Sequence, residues 1–178
     1  MKEGHFPSDA FKDALAANDE YVKNFKYREL TGVASKGIAI VTCMDSRINP
    51  LSVIGMRSGD AKILRNAGAR VTEDVLRTLV LATYLLGVKR ILVMPHTDCR
   101  MASGEEHEIH AAILEKSGID TRGIEIRTVK DQMKALITDI QRIERSGRVC
   151  FFGCDLSRPR SRPRNPEPNG ARGASQTM

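Results

Sequence analysis

The sequence predicts an α/β fold: a single domain with a central, mostly parallel β-sheet of about five strands flanked by helices. Short runs rich in β-branched residues alternate with longer segments of helical period, which is typical of a parallel sheet with crossover helices. The chain has 178 residues, enough for one domain with one sizeable core. We assign this domain to residues 1–155, with an N-terminal helical arm at about 8–26 and a disordered basic tail at 156–178.

The first predicted element is an amphipathic helix that Ser8 caps. Its apolar residues recur at steps of three and four, the spacing of one helix face, and only a single Asn interrupts them. The stripe consists of Phe11, Leu15, Asn18, Val22 and Phe25. Such a stripe must pack on its own sheet or on a partner subunit, and the pattern leaves both alternatives open.

Five apolar runs predict the strands of the sheet, and the first three have the character of buried strands. They are residues 37–43, 61–66, 89–95, 124–129 and 148–153.

Three further helices lie between these strands. Thr72 caps the first, Gly87 ends it, and its almost continuous apolar character predicts that it is buried. A Ser103-x-x-Glu106 capping box opens the second helix, and Gly147 closes the third. The third helix has an apolar face made of Met133, Leu136, Ile137, Ile140 and Ile143.

The net charge of +6 is unevenly distributed along the chain. Residues 156–178 carry five arginines and one glutamate, so this tail has a charge of +4 and the remainder only +2. The tail is rich in Pro, Arg, Gly and Ser and lacks a hydrophobic period, which predicts disorder. It could bind nucleic acid or an acidic partner, but no aromatic residues are interleaved for base stacking, so we expect no nucleic-acid partner.

Two observations predict a cytoplasmic protein with no membrane partner. No apolar run approaches the roughly 20 residues that span a bilayer. The N-terminal sequence "MKEGHFPSDAFKDAL" has no apolar core of a signal peptide.

Two polar clusters follow predicted strands, at the carboxyl ends where open α/β sheets bind ligands. The first is "CMDSR" and the second is "HTDC". If the backbone of the first stays extended, Cys43, Asp45 and Arg47 point to one face, because side chains alternate along a strand. In the second, a spacing of three lets His96 and Cys99 converge across a tight turn.

Two thiolates and an imidazole form a donor set that suits zinc, which binds sulfur and nitrogen tetrahedrally. Three protein ligands leave a fourth position open, as in catalytic zinc sites. Asp45 either orients a water at that position or occupies it. Arg47 would compensate this carboxylate through two hydrogen bonds of its planar guanidinium.

Each of the cysteines also has a simpler interpretation. Cys43 and Cys99 could be ordinary buried thiols, or a disulfide, which a cytosolic compartment disfavours. Cys150 and Cys154 have no matching histidine and are interpreted as residues that fill a buried strand and its end.

Two other motifs give weaker signals. His107 and His110 lie one residue short of the zinc-protease spacing, so we interpret them as solvated helix residues. The segment "RNAGARV" at 65–71 has a glycine that would let a loop approach the site closely. No glycine-rich phosphate cradle occurs in the sequence, which argues against nucleotide binding.

Together, "CMDSR", "RNAG" and "HTDC" resemble the β-class carbonic anhydrases, whose zinc motif reads Cys-x-Asp-x-Arg followed by His-x-x-Cys. The resemblance runs from about Asn18 to Gly153, and the short body is similar to the small bacterial subgroup that also includes hydrolases of carbonyl sulfide and carbon disulfide. It implies a mostly parallel sheet, a homodimer or homotetramer, and an N-terminal helix that reaches across to the partner subunit.

The resemblance also implies roles for particular residues. Cys43, His96 and Cys99 would be zinc ligands, and Asp45 and Arg47 the catalytic residues. The implied activity is the reversible hydration of carbon dioxide to bicarbonate and a proton, by attack of zinc-bound hydroxide, with Zn2+ as the cofactor. In some family members the equivalent of Asp45 moves onto the zinc, and in that state Arg47 would lose its partner.

Two alternatives to this activity remain open from the sequence. One is a zinc hydrolase of carbonyl sulfide or carbon disulfide, because those enzymes share the zinc motif. The other is a catalytically silent zinc-binding protein that oligomerises. Two departures from the family pattern bear on the choice: Arg100 stands where most relatives have Gly, and the segment after Cys154 is unlike the usual family ending.

Overall fold

Four parallel strands form the central sheet, in the order β2-β1-β3-β4. The computed structural model describes residues 7–146 and the backbone of residues 150–153. The strands are β1 (Ile38–Cys43), β2 (Ala61–Asn66), β3 (Arg90–Met94) and β4 (Cys150–Gly153). All six residues of the central strand β1 are buried, whereas β2, predicted as a buried strand, is a half-buried edge strand.

The sheet therefore has four described strands and not about five, because the apolar run at 124–129 is not a strand. The backbone amides of this run are used elsewhere: those of Ile126 and Arg127 donate to the Glu106 carboxylate at 2.8 and 3.1 Å. Arg127 also has a φ of 60°, outside the extended region that a strand requires. Alternating apolar residues did not suffice to predict a strand here, because the backbone amides of this run bind a side chain and not a neighbouring strand.

Within the described residues, five helices and three short 3-10 turns connect and flank the strands. The helices are α1 (Lys12–Lys23), α2 (Pro50–Val53), α3 (Glu73–Leu85), α4 (Glu106–Ser117) and α5 (Gln132–Ser146). The 3-10 turns are Ser8–Phe11, Ala67–Ala69 and Arg100–Ala102. In the described part of the chain, no helix is both long enough and apolar enough to cross a membrane.

The predicted caps were confirmed at one helix and wrong at two. The Thr72 hydroxyl accepts a hydrogen bond from the Val75 amide at the start of α3, as expected. Ser8 does not cap α1; it lies in the 3-10 turn before the helix, and no side-chain hydrogen bond caps either element.

The capping box of α4 is formed by Glu105 and Glu108, not by Ser103 and Glu106. Both predicted partners are engaged elsewhere. The Ser103 hydroxyl donates to the carbonyl of Arg100 at 2.7 Å, and the Glu106 carboxylate binds the amides described above. The box therefore begins two residues later than the sequence pattern indicated.

The main core lies between the sheet and helices α3 and α5. It is a cluster of buried residues from β1, β3 and these helices, including Val41, Val75, Leu79, Ile91, Val93, Leu136 and Ile143. The expectation that α3 is buried nearly all round was wrong, because only one face of this helix is covered. The exposed apolar residues of α3 are Val80, Leu81, Tyr84 and Leu85, at 40 to 71% exposure.

Helix α1 contributes no buried residue to this core. The apolar side chains of its predicted stripe, Phe11, Leu15, Val22 and Phe25, are 39 to 57% exposed. The stripe therefore does not pack into the sheet of its own chain, and the alternative of a partner subunit stays a prediction.

Several sequence predictions fall outside the described residues. They are the helix end at Gly147, the start of the last strand at 148–149, the side chains of Cys150 and Cys154, and the basic tail at 156–178. They stay predictions.

Candidate metal centre

The site forms where two neighbouring strands end. β1 and β3 pair in parallel, with Thr42 opposite Met94, so their carboxyl ends open at the same edge of the sheet. Cys43 is the last residue of β1, and His96 follows β3 by two residues. The topology thus brings the two predicted clusters together, although they are about 50 residues apart in sequence.

Cys43, His96 and Cys99 converge on one point. One ligand atom from each lies within 4.8 Å of the other two, and they form the single such group of potential metal ligands in the described residues. The two cysteines are 5% and 8% exposed, and the His96 side chain is 17% exposed. This group could hold a metal ion.

The separation of the two sulfurs fits zinc. Cys43 Sγ and Cys99 Sγ lie 3.8 Å apart, and both cysteines are free, so the structure shows no disulfide between them. Two sulfurs that each bind a tetrahedral zinc at about 2.3 Å are separated by about 3.8 Å. The geometry therefore matches the donor chemistry that the sequence indicated.

The imidazole of His96 fits the same interpretation. His96 Nε2 is buried and has no hydrogen-bond partner, which is unfavourable for a polar atom unless a ligand satisfies it. The main chain of this residue is held from α5, because the Gln132 side chain donates to the carbonyl of His96 at 2.9 Å. A metal ion at the centre of the group would give Nε2 the partner that it lacks.

The Cys99 thiol is harder to ionise than an ordinary cysteine when no metal is bound. Burial raises the pKa of Cys99, and the neighbouring Cys43 raises it further. A divalent cation between the sulfurs would oppose both effects, because it stabilises the thiolates that bind it.

Asp45 lies at the edge of this group, with Oδ2 3.9 Å from His96 Nε2. Its carboxylate accepts four hydrogen bonds from Arg47: from the amide at 2.9 Å, from Nε at 3.0 and 3.2 Å, and from Nη2 at 2.7 Å. These bonds hold the pKa of Asp45 well below its usual range and raise the pKa of Arg47. Asp45 is therefore a fixed, ionised acceptor at the rim of the metal group.

Arg47 has a second acidic partner that the sequence analysis did not find. Its Nη1 donates to Asp98 Oδ2 at 2.8 Å, and its Nη2 donates to the carbonyl of Asp98 at 3.1 Å. In this arrangement Arg47 contacts two carboxylates, and the expectation that it loses its partner when Asp45 moves stays a prediction. The only signal in the sequence was an acid inside "HTDC", and nothing there pointed to Arg47.

Arg65 was also missed. Its Nε donates to the carbonyl of Cys43 at 2.9 Å and its Nη2 donates to the carbonyl of Asp45 at 2.6 Å. It lies on β2 opposite Thr42, one position before the strand end. Arg65 therefore supports the backbone between the two functional side chains, together with the Met44 amide, which donates to the carbonyl of Asn66 at 2.9 Å.

Apolar residues cover the inner side of the group. Cys43 and Cys99 belong to a small buried cluster with Met101, against which Ile48, Ala67 and Ile126 pack. Gly68 has a φ of 76°, and a Cβ there would lie 3.1 Å from the Met101 side chain. The glycine of "RNAGARV" thus permits the close approach that the sequence predicted.

The remaining sequence candidates are not among the ligands of the metal group. Arg100 is exposed, and its effect on the site stays a prediction. His107 is exposed as expected, but His110 is not a solvated residue: its side chain is 11% exposed and Nδ1 lies 2.8 Å from the Thr121 hydroxyl.

The chain is similar to known proteins over most of its described length. Residues 38–150 match the family model described as carbonic anhydrase. β-Carbonic anhydrase 1 of Mycobacterium tuberculosis is 41% identical over 107 residues, which are 60% of this chain and 65% of that protein. A carbon disulfide hydrolase of Saccharolobus solfataricus is 34% identical over 125 residues, 68% of this chain and 61% of that protein.

A solved carbonic anhydrase of Streptococcus mutans has a similar fold. It matches with a TM-score of 0.72 and 32% identity, over 80% of this chain and 89% of that one. The chain spans less than two thirds of the length of the curated relatives named above. Because the family model covers more than half of the sequence and the two halves of the family motif meet at adjacent strand ends, this chain belongs to the β-carbonic anhydrase family.

Proposed function

We propose that the protein catalyses the zinc-dependent, reversible hydration of carbon dioxide to bicarbonate and a proton. One observation carries the proposal: an ionised carboxylate, Asp45, is fixed 3.9 Å from the nitrogen of a buried Cys-His-Cys group. A structural zinc site usually has four protein ligands, whereas three ligands beside a fixed acceptor are typical of a catalytic site. Family membership supports the same reaction.

The roles of the three donors follow from their chemistry. Cys43, His96 and Cys99 would hold zinc through two sulfurs and Nε2. When bound, zinc lowers the pKa of a coordinated water from about 15.7 to about 7, which supplies a nucleophile near neutral pH. The apolar residues behind the two cysteines would limit the access of bulk water on that side.

Asp45 would orient the nucleophile and would not store its proton. An ionised carboxylate can only accept hydrogen bonds, so the attacking oxygen must donate its hydrogen to Asp45 and thereby direct a lone pair towards the substrate carbon. Since Arg47 holds the pKa of Asp45 low, Asp45 is a poor base. The proton released by the reaction would therefore pass to solvent or buffer.

The assembly is a second part of the proposal. We infer a homodimer or homotetramer in which the apolar stripe of α1 packs on a partner subunit. This inference is supported by the half-exposed stripe itself, since large contiguous apolar patches on a folded chain usually mark interfaces.

One relative favours a second activity at the same site. Carbon disulfide hydrolase of Saccharolobus solfataricus covers a larger share of this chain than the mycobacterial enzyme does, although its identity is lower. Hydrolysis of carbon disulfide or carbonyl sulfide needs the same nucleophile and the same acceptor. The third possibility, a zinc-binding protein without catalytic activity, is tested by the same assays.

Parallel assays of the purified, zinc-loaded protein distinguish these activities. Hydration of carbon dioxide would be followed by stopped-flow with a pH indicator, and release of hydrogen sulfide would be followed with carbonyl sulfide and carbon disulfide. We expect the highest kcat/KM with carbon dioxide. Rates equal to buffer for all three substrates between about pH 6 and 9.5 would contradict an enzymatic function.

A further inference from the structure

Arg47 connects the two loops that carry the metal group. Towards the first loop, its Nε and Nη2 face the Asp45 carboxylate; towards the second, its Nη1 and Nη2 face Asp98. A guanidinium has five N–H donors in one plane, so it can serve two acids at once only if both lie near that plane. Asp98 meets this condition through one carboxylate oxygen and its own carbonyl.

The backbone of Asp98 is bent to make these contacts. Its φ is 54°, in the left-handed region where Asp, Asn and Gly are the residues best tolerated. This turn lies between His96 and Cys99 and directs the carbonyl of Asp98 towards Arg47. The residue therefore shapes the turn between two proposed metal ligands and also contacts the arginine of the other loop.

A second pair in the chain shows what Asp98 adds. Asp120 and Arg122 have the same spacing as Asp45 and Arg47, and the same four contacts at 3.0, 3.0, 3.2 and 2.7 Å. An Asp-x-Arg pair of this geometry thus forms through local contacts alone and does not require a second acid from another loop. Among the described residues, however, Arg122 has no second acidic partner, so it does not tie its loop to another one.

The Arg47 side chain is largely exposed, so a contact with Asp98 in addition to that with Asp45 would restrain it further. The side chain of Arg47 is 61% exposed, and a single exposed ion pair restrains a long side chain only weakly. Asp45 is 19% exposed and lies beside the metal group, so a change in the position of Arg47 would alter the carboxylate that it holds. The Asp98 side chain is itself 85% exposed, so its ion pair alone would also be weak. Its carboxylate and carbonyl add two further contacts from the second loop, and together with those of Asp45 they restrain the orientation of the guanidinium.

We propose that Asp98 is a positioning residue that anchors Arg47 between the two loops and so fixes the Asp45 carboxylate beside Cys43, His96 and Cys99. Its effect on the rate rests on the proposed function, whereas its effect on Arg47 does not. Asp98 does not contact the reacting atoms in this arrangement, and it acts through Arg47.

Three variants test this role in the full-length protein. Asp98→Gly keeps the left-handed turn and removes the carboxylate, and Asp98→Asn keeps the turn and one acceptor oxygen. Asp120→Asn is the matched control, because it changes an Asp-x-Arg pair of the same geometry away from the site. Circular dichroism and zinc content, which we expect to be unchanged, verify that each variant is folded and loaded.

The first measurement is the solvent exchange of the Arg47 Nε proton, observed by nitrogen-proton NMR and assigned with an Arg47→Lys variant. The Nε proton bonds to Asp45, and loss of the Asp98 carboxylate at Nη1 should loosen the guanidinium and weaken that bond. We therefore expect exchange to accelerate by about three- to tenfold in Asp98→Gly, and less in Asp98→Asn. We expect no change in Asp120→Asn. The second measurement is hydration of carbon dioxide, where kcat should fall by a similar factor in Asp98→Gly, with KM nearly constant and partial rescue in Asp98→Asn.

The outcomes separate the two proposals. If the wild-type protein is active and Asp98→Gly changes neither the exchange of the Arg47 proton nor kcat, the positioning role is overturned and the proposed function stands. If the wild-type protein hydrates no carbon dioxide but the Arg47 proton exchanges faster in Asp98→Gly, the proposed function fails and the anchoring of Arg47 is supported.

Discussion

The Arg70 guanidinium and the Asp139 carboxylate form a buried ion pair, with Nε to Oδ2 at 2.6 Å and Nη2 to Oδ1 at 3.2 Å. Their side chains are 14% and 3% exposed. Asn66 fixes the backbone of Arg70 as well, since its side chain accepts from the Arg70 amide and donates to the Arg70 carbonyl. The pair therefore joins the loop after β2 to α5, the helix whose Gln132 holds the carbonyl of His96.

Breaking this pair should destabilise the fold strongly. Asp139→Ala leaves the guanidinium of Arg70 without its carboxylate in a mostly buried position, and removal of one partner from a buried pair lowers the free energy of unfolding by about 3–5 kcal/mol. Urea unfolding followed by circular dichroism measures the loss. A decrease below about 1 kcal/mol would show that the pair is not buried in solution.

Two comparisons isolate the effect of burial. Asp120→Asn weakens an ion pair whose side chains are 51% and 75% exposed, and it should change the urea midpoint little. A double variant, Arg70→Met with Asp139→Leu, replaces both charges by apolar groups and should recover most of the stability lost in Asp139→Ala.

Asp139 also shows why the interior of α5 could be predicted only in part. The periodicity correctly placed Leu136 and Ile143 in the core, but Met133 and Ile137 are about half exposed, and an acid is buried in the same face. A carboxylate is buried at acceptable cost only if a cation meets it. That cation comes from a residue 69 positions away, so no local pattern could reveal it.

The same distinction between local and distant contacts applies to the site. The two site motifs, "CMDSR" and "HTDC", could be predicted because the functional side chains of each lie within a few residues of one another, directly after an apolar strand. Arg65 and Asp98 were not, because they act through carbonyls and a guanidinium on other loops. The false strand at 124–129 has a similar cause, since its amides bind Glu106, a residue of another element.

Metal binding should depend on Cys43 and His96. Cys43→Ala or His96→Ala leaves two of the three donors, so we expect loss of both zinc and activity. His107→Ala, which changes an exposed histidine on α4, should keep full zinc content. Metal analysis after gel filtration gives the stoichiometry, and a Cys43→Ala protein that retains one zinc per chain would contradict the ligand assignment.

Asp45→Asn should separate metal binding from catalysis. The amide is nearly isosteric and leaves the donors unchanged, so zinc content should be normal. It lacks the negative charge that Arg47 holds in place, and we expect kcat to fall by about 100-fold, the size of effect expected when a reacting group is no longer correctly oriented. Stopped-flow hydration of carbon dioxide measures the rate, and full activity in this variant would refute the role of Asp45.

Stability at acid pH should depend on Glu106. Hydrogen bonds from the amides of Ile126 and Arg127 hold the pKa of Glu106 below its ordinary value of 4.5. Because its pKa is lower in the folded state, this carboxylate contributes stability above the unfolded pKa and loses it as the pH falls through the folded pKa.

The Glu106→Gln variant makes this dependence measurable. The difference in the free energy of unfolding between wild type and Glu106→Gln should be largest near pH 6 and should shrink towards pH 3. Glu115→Gln, on the exposed side of α4, serves as the control and should show no such trend. Urea unfolding at several pH values measures this difference in the free energy of unfolding. A difference that grows as the pH falls would contradict the prediction.

The apolar stripe of α1 gives the last prediction, which concerns assembly. If the stripe packs on a partner subunit, Leu15→Asp with Val22→Asp would place two charges in the interface, where unpaired charges are strongly unfavourable. Both residues are at least 40% exposed within one chain, so the change should leave the monomer fold intact. Analytical ultracentrifugation should then show a shift from dimer or tetramer to monomer. Ile119→Asp changes an apolar residue outside the stripe that is more exposed than either, and it should keep the wild-type mass. An unchanged mass for the double variant would exclude α1 as the contact.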